Sequence, residues 1–277
     1  MKHEVPVIYL EQQVSNTGEV RLVYDTTFEN TDVNEQTVVI RRSSDTHSSD
    51  ALAVDPASDS VRVITVFYQK AMDYGKYSVY VSKHGCAVCS LTTMLRGWSD
   101  KFRNLRPDET ITRVEKTHFS KLAWYANYLR PMPVMMPVSL YGISCILSSE
   151  GIPNRYVRSF TDNEAAAEIR SHLLSGKPII IETSRMRRHA GKIADRRDNK
   201  YTGSNHTQIL LGMTPAGKVV FADSADRKWS GSRQRLKEAP LEDMIDYMFP
   251  QKFSFDTHKY FPCRCGTGGY ILVDASL

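Results

Sequence analysis

Cys86 lies in the string Lys83-His84-Gly85-Cys86-Ala87-Val88-Cys89-Ser90-Leu91-Thr92-Thr93-Met94-Leu95, in which a glycine precedes a cysteine at the head of an apolar-periodic segment. Val88, Leu91, Met94 and Leu95 recur at three- and four-residue spacing, so the segment reads as an amphipathic helix with Cys86 in its first turn. A thiol in that place becomes a nucleophile. The helix dipole and the unpaired backbone N–H groups favour an anion there and lower a thiol pKa from about 8.5 toward neutrality. The same N–H groups can hold an oxyanion.

A thiolate nucleophile needs a base that later serves as an acid, and His206 is the candidate. It opens the apolar stretch His206-Thr207-Gln208-Ile209-Leu210-Leu211-Gly212-Met213, which reads as a buried strand. The turn Thr214-Pro215-Ala216-Gly217-Lys218 then leads into Val219-Val220-Phe221-Ala222-Asp223, the return strand of a hairpin. Folding the hairpin brings His206 and Asp223 to the same end, where a carboxylate orients an imidazole and sets its tautomer. Asp226 and Asn205 are alternatives for that orienting role, and Asp223 could instead cap the turn that follows it. His84 is the fallback base, although two positions from Cys86 is poor geometry. The other histidines fall in loops or on helix surfaces by pattern.

Cysteine, then histidine, then an acid, with helix first and hairpin later, is the chain order of papain-like enzymes. These residues resemble the bacteriocin-leader-peptidase-like family of papain-like cysteine peptidases. That family's nucleophile motif falls on Gly85 to Thr93 with its cysteine at Cys86, and its Gly-Lys-Pro strand entry matches Gly176-Lys177-Pro178-Ile179-Ile180-Ile181. Its His-strand-turn-strand-Asp matches His206 through Asp223, and its Tyr-Gln…Tyr-Gly stretch is similar to Tyr68-Gln69…Tyr74-Gly75. The resemblance spans about residues 62 to 275 and implies a papain-like fold, a peptide or protein substrate, no cofactor, and Gln69 as an oxyanion donor. The chain departs from the pattern in two places. Ala87-Val88 replaces Gly-Pro, which bears on how closely a substrate backbone approaches Cys86. Thr207 replaces an aromatic residue, which bears on the size and polarity of the pocket beside His206.

The same residues admit other readings. Cys86 and Cys89 with Cys263 and Cys265 supply four thiols for a structural zinc, but Cys86-x-x-Cys89 inside a helix lacks the knuckle turn such sites use. A thioredoxin-like redox role lacks its strand-loop context. Cys89 and Cys145 read as small core residues. A binding or regulatory protein that keeps the fold without the activity, and a relative that transfers the acyl group to another amine or thiol, both remain open. The basic stretch from Arg185 to Asn205 reads as a solvated loop ending at His206, or as a lid that steers an anionic substrate.

The elements that must position these groups read as α+β. Residues 1–60 form a β-rich appendage with strands at Val20–Tyr24 and Gln36–Ile40, followed by a Ser/Asp-rich linker over residues 43–60. Residues 61–277 form the papain-like domain. In it a strand from Val61 to Tyr68 leads to Gln69. Helices follow at Cys86, at Phe119 to Leu129 and at Tyr141 to Ser149, and a further one opens on the capping box Thr161-Asp162-Asn163-Glu164 and stops at Gly176. Strands at 178–183, 206–213, 218–223 and 269–273 form an antiparallel sheet, with one late helix from Pro240 to Phe249.

Composition bounds the function. The chain has 277 residues, 41% of them hydrophobic, enough for one sizeable core with an appendage or for two small domains. Its 36 basic residues are interleaved with 31 acidic ones for a net charge of +5, which implies no global nucleic-acid-binding field. No stretch reaches the roughly 18 apolar residues of a membrane span, and the start lacks a signal-peptide core, so the chain as given reads as cytoplasmic. Five cysteines, an odd number, argue against a fully paired secreted framework.

Overall fold

The computed structural model describes residues 7–24, 35–43, 61–70, 73–117, 140–183, 187–189, 192–195, 206–225, 236–248 and 268–275. Two sheets enclose one helix. The first sheet has the order β2-β1-β3-β4, from β1 (Val7–Val14), β2 (Val20–Tyr24), β3 (Glu35–Ser43) and β4 (Val61–Phe67). β1 and β3 run parallel, and the other pairs are antiparallel. This sheet therefore takes strands from both sides of the Ser/Asp-rich stretch.

A 3-10 turn (Gly75–Tyr77) and a short helix α1 (Ser78–His84) lead to α2 (Cys86–Trp98). After α3 (Pro107–Thr117) and α4 (Leu140–Ser149) the chain enters the second sheet at β5 (Asn154–Val157) and continues into α5 (Asp162–Leu174). The capping box expected at Thr161 and Glu164 is present in both directions and fixes where α5 starts. β6 (Ile179–Thr183), the short hairpin β7 (Arg187–His189) and β8 (Lys192–Asp195), β9 (His206–Met213), β10 (Lys218–Ala222), β11 (Leu236–Pro240), α6 (Leu241–Tyr247) and β12 (Tyr270–Val273) complete the described chain. The second sheet is antiparallel throughout, with the order β11-β10-β9-β6-β12-β5.

The architecture is α+β, and it differs in detail from the sequence expectation. The second sheet is covered on both faces. Alternation along its strands sends Ile180, Ile209, Leu211, Val220 and Ile271 into one cluster with α2 and the first sheet. Ile179, Ile181, Leu210, Val219 and Phe221 enter a second cluster with α5 and α6. All eight residues of β9 are buried as a result.

α2 was expected to be amphipathic but is buried on nearly all sides from Ala87 to Leu95, because it lies between β4 and β9. Its hydroxyls make this tolerable. Thr92 Oγ1 donates to Val88 O (2.7 Å), Thr93 Oγ1 to Thr65 O (2.8 Å) and Ser90 Oγ to Thr207 O (3.3 Å). β5, β11, α1 and α3 were not anticipated, nor was the hairpin β7–β8 inside the basic stretch. The helix expected at 119–129 lies outside the described residues, as do Cys263 and Cys265. Cys89 is buried as expected, whereas Cys145 is only half-buried on α4. Among the described residues no group of three or more His, Cys, Asp or Glu side chains is arranged to hold a metal ion. No described helix is long and apolar enough to cross a membrane.

Candidate active site

Gly85 both ends α1 and precedes α2. A Cβ there would lie 2.4 Å from Val81 O, so only glycine allows the two helices to meet at this sharp corner. The corner leaves Cys86 as the first residue of α2, with no side chain capping that end. The orphan N–H groups of the first turn therefore stay available to an anion.

β9 brings the base to the same place. The bond from Ser90 to the Thr207 carbonyl ties α2 to the start of β9 one helical turn below Cys86. His206, buried, and Thr207 then flank the thiol. Cys86 Sγ lies 4.0 Å from Thr207 Oγ1, and the His206 side chain and the Thr207 backbone N–H are close enough to act on its ionisation. His206 Nε2 faces Asp223 Oδ1 at 2.6 Å, which leaves Nδ1 as the nitrogen for the sulfur.

Asp223, fully buried just beyond β10, is held from three directions. Its Oδ1 also accepts from Ala225 N (2.8 Å), and its Oδ2 accepts from Lys237 Nζ (2.6 Å). The same oxygen thus meets both His206 and the backbone N–H of Ala225 in the turn that follows.

Electrostatics follow from this packing. Burial disfavours the Asp223 carboxylate, but His206 and Lys237 outweigh it and hold the carboxyl well below the usual range. Burial likewise disfavours the His206 imidazolium, but the charge and hydrogen bond of Asp223, with those of Cys86, raise it to about 10. For Cys86, burial pushes the thiol up, and the hydrogen bonds from His206 and Thr207 together with the His206 charge bring it below the ordinary thiol value. A thiolate beside an imidazolium is the form these contacts favour.

Gln69 sits just past β4. Its Nε2 donates to Ser82 O on α1 (3.3 Å) and its Oε1 accepts from Ser224 Oγ (3.2 Å). Its backbone N–H donates to Ser224 O (2.9 Å), which links it to the residue after Asp223. Cys86, His206 and Asp223 are in direct succession, and Gln69 borders them through Ser82 and Ser224. His84 is the last residue of α1; Asp226 and Asn205 lie outside the described residues.

Three residues of the site were not found from sequence. Lys237 reaches Asp223 from β11, a strand the pattern did not reveal, across the pair Phe221↔Lys237. Ser90, whose hydroxyl donates to Thr207 O, carries no signal of its own in the sequence. Glu182 stands directly across from Thr207 in the β6–β9 register, and burial together with the Cys86 charge raises its carboxyl to about 8. The signal for Glu182 was available: a carboxylate that continues the run Ile179-Ile180-Ile181 is out of place in a buried strand.

A family model described as the Peptidase_C39 like family matches residues 63–248, more than half of the chain. No curated protein and no solved structure gives a significant match.

Proposed function

The chain belongs to the Peptidase_C39-like family of papain-like cysteine peptidase type, and from that premise we propose that it is a papain-like thiol hydrolase that cleaves a peptide or other amide bond through Cys86, His206 and Asp223. The observation that carries this reading is the 2.6 Å contact between His206 Nε2 and Asp223 Oδ1, with the Cys86 thiol close enough to the same imidazole to be held below the ordinary thiol value.

The Cys86 thiolate adds to the amide carbonyl carbon, and the C=O electron pair moves onto oxygen. The Cys86 N–H at the uncapped start of α2 holds that oxyanion. A Gln69 Nε2–H joins it, Ser82 O taking the other. The tetrahedral intermediate collapses as the His206 imidazolium protonates the leaving amine, leaving an acyl group on Cys86. Neutral His206 then takes a proton from water, the hydroxide displaces the sulfur, and acid and thiolate are restored. Asp223 keeps the imidazole in one tautomer and stabilises its charged form throughout. Lys237, on the far oxygen of Asp223, fixes the carboxylate in turn.

The test is the pH dependence of Cys86 alkylation by iodoacetamide, read by peptide mass spectrometry. The wild type should react well below pH 7, and His206→Ala should shift the profile to that of an ordinary thiol near about 8.5. A wild-type Cys86 that titrates like free cysteine overturns the reading.

A further inference from the structure

We propose that Glu182 is a specificity-determining residue which, with Thr207, lines the substrate position beside Cys86 and selects amide substrates carrying a cationic group next to the scissile carbonyl. The proposal rests on the reading of Cys86 as the nucleophile. Its geometry comes from the sheet. Ile180 packs into the cluster that contains α2, so Glu182, two residues further along β6, shares that face. Thr207 relates to Ile209 in the same way on β9. The two are register partners, and directly opposed side chains stand about 5 Å apart. Since Thr207 Oγ1 is 4.0 Å from the Cys86 sulfur, Glu182 lies just beyond the threonine from the thiol.

Among the described residues the positive charge that acts on Glu182 is that of His206, and it does not offset the burial of the carboxylate. From α2 it meets the repelling Cys86 thiolate, from β9 the attracting His206, and from β5 the phenol of Tyr156. Among the described residues its hydrogen-bond partner is the Gly268 N–H, at 3.4 Å, and no lysine or arginine of theirs pairs with it. Burial and the thiolate push its carboxyl up to about 8, so near neutral pH it ionises fully only when a cation joins it. A substrate ammonium or guanidinium supplies that cation, and its binding releases a proton. Thr207, where the resembled family has an aromatic residue, leaves a small polar neighbour that does not screen the carboxylate.

The test uses the full chain and two methanethiosulfonates of matched size, one bearing a trimethylammonioethyl group and one a sulfonatoethyl group. In both, the Cys86 thiolate attacks the sulfenyl sulfur, a disulfide forms and methanesulfinate leaves. The rate constants are read on the Cys86 peptide. The ratio of cationic to anionic rate should fall about tenfold in Glu182→Gln. In the wild type the ratio should climb from pH 6.5 to pH 9 as Glu182 ionises, and in the variant it should stay flat. A ratio unchanged by the substitution, or flat with pH in the wild type, overturns the proposal, and the wild-type profile decides alone if Glu182→Gln does not fold. Slow, ordinary alkylation of Cys86 by neutral iodoacetamide would sink the hydrolase reading, whereas a charge ratio indifferent to Glu182 sinks this one.

Discussion

The two faces of the six-stranded sheet are held by different physics. On the far face, α5 and α6 meet the strands through Ala165, Ile169, Leu173, Met244 and Ile245 packed on Ile179, Ile181, Leu210, Val219 and Phe221. The hydrogen bonds between α5 and the sheet, His172 with Val273 O and Tyr270 Oη donating to Glu168 Oε2, lie at the rim and are only partly buried. On the near face, α2 carries a hydrogen bond inside the contact, from Ser90 to Thr207 O, and on its other side one to the first sheet, from Thr93 to Thr65 O. Apolar burial is non-directional and tolerates a helix that rolls or slides by a fraction of an ångström. A buried hydroxyl bonded to a strand carbonyl does not. The near face therefore fixes the rotation of α2 about its axis, and with it the position of Cys86 against His206.

The contrast is broken or sharpened by four substitutions. The largest effect falls on the far face: Leu173→Ala, at a fully buried position, should cost about 2–5 kcal/mol in urea unfolding. It should leave the pH profile of Cys86 alkylation where it is. Asp223→Asn should do the reverse at the site. It removes the charge that raises His206, so Cys86 reactivity at pH 6 should drop by about 100-fold, equivalent to two pKa units. A Leu173→Ala profile shifted as far as that of Asp223→Asn would erase the distinction between the faces.

Lys237→Met comes next, at about 2 kcal/mol of stability near neutral pH, because Asp223 keeps its charge and loses one of the partners that offset its burial. The folded carboxyl is depressed, so its contribution is present above the unfolded value near about 3.9 and is lost as pH falls toward the folded one. The wild-type advantage over Lys237→Met should therefore shrink in unfolding titrations carried from pH 6 to below pH 3. The smallest effect belongs to Ser90→Ala, about 1 kcal/mol of stability. It should lower Cys86 reactivity a few-fold at pH 6, out of proportion to that cost, if the Ser90–Thr207 bond sets the register of the helix.

Cys86, His206 and Asp223 were legible in the sequence because each carries a local signal: a glycine before a helical period, a polar residue opening an apolar strand, and an acid closing a hairpin. Lys237 and Glu182 carry their roles through strand register, which depends on pairing partners far away in the chain. Two of the strands that were missed, β5 and β11, are short and polar, Asn154-Arg155-Tyr156-Val157 and Leu236-Lys237-Glu238-Ala239-Pro240, and lie at the two edges of their sheet among the described strands, where alternation is weak. The full burial of α2 was hidden for another reason. Ser90, Thr92 and Thr93 look like a solvent face, yet each satisfies its hydroxyl on a carbonyl within the core.

Gly212, near the end of β9, meets the side chain of Leu22 from β2 so closely that a Cβ there would stand 2.6 Å from Leu22 Cδ1. The N-terminal strands are thus keyed into the strand that opens with His206. A chain begun at residue 61 would leave that notch empty and strip β4 of β3, its one partner among the described strands. The resulting row of unpaired backbone groups, beside the exposed Val63, is a template for strand addition between copies, so such a shortened chain would be expected to associate or precipitate.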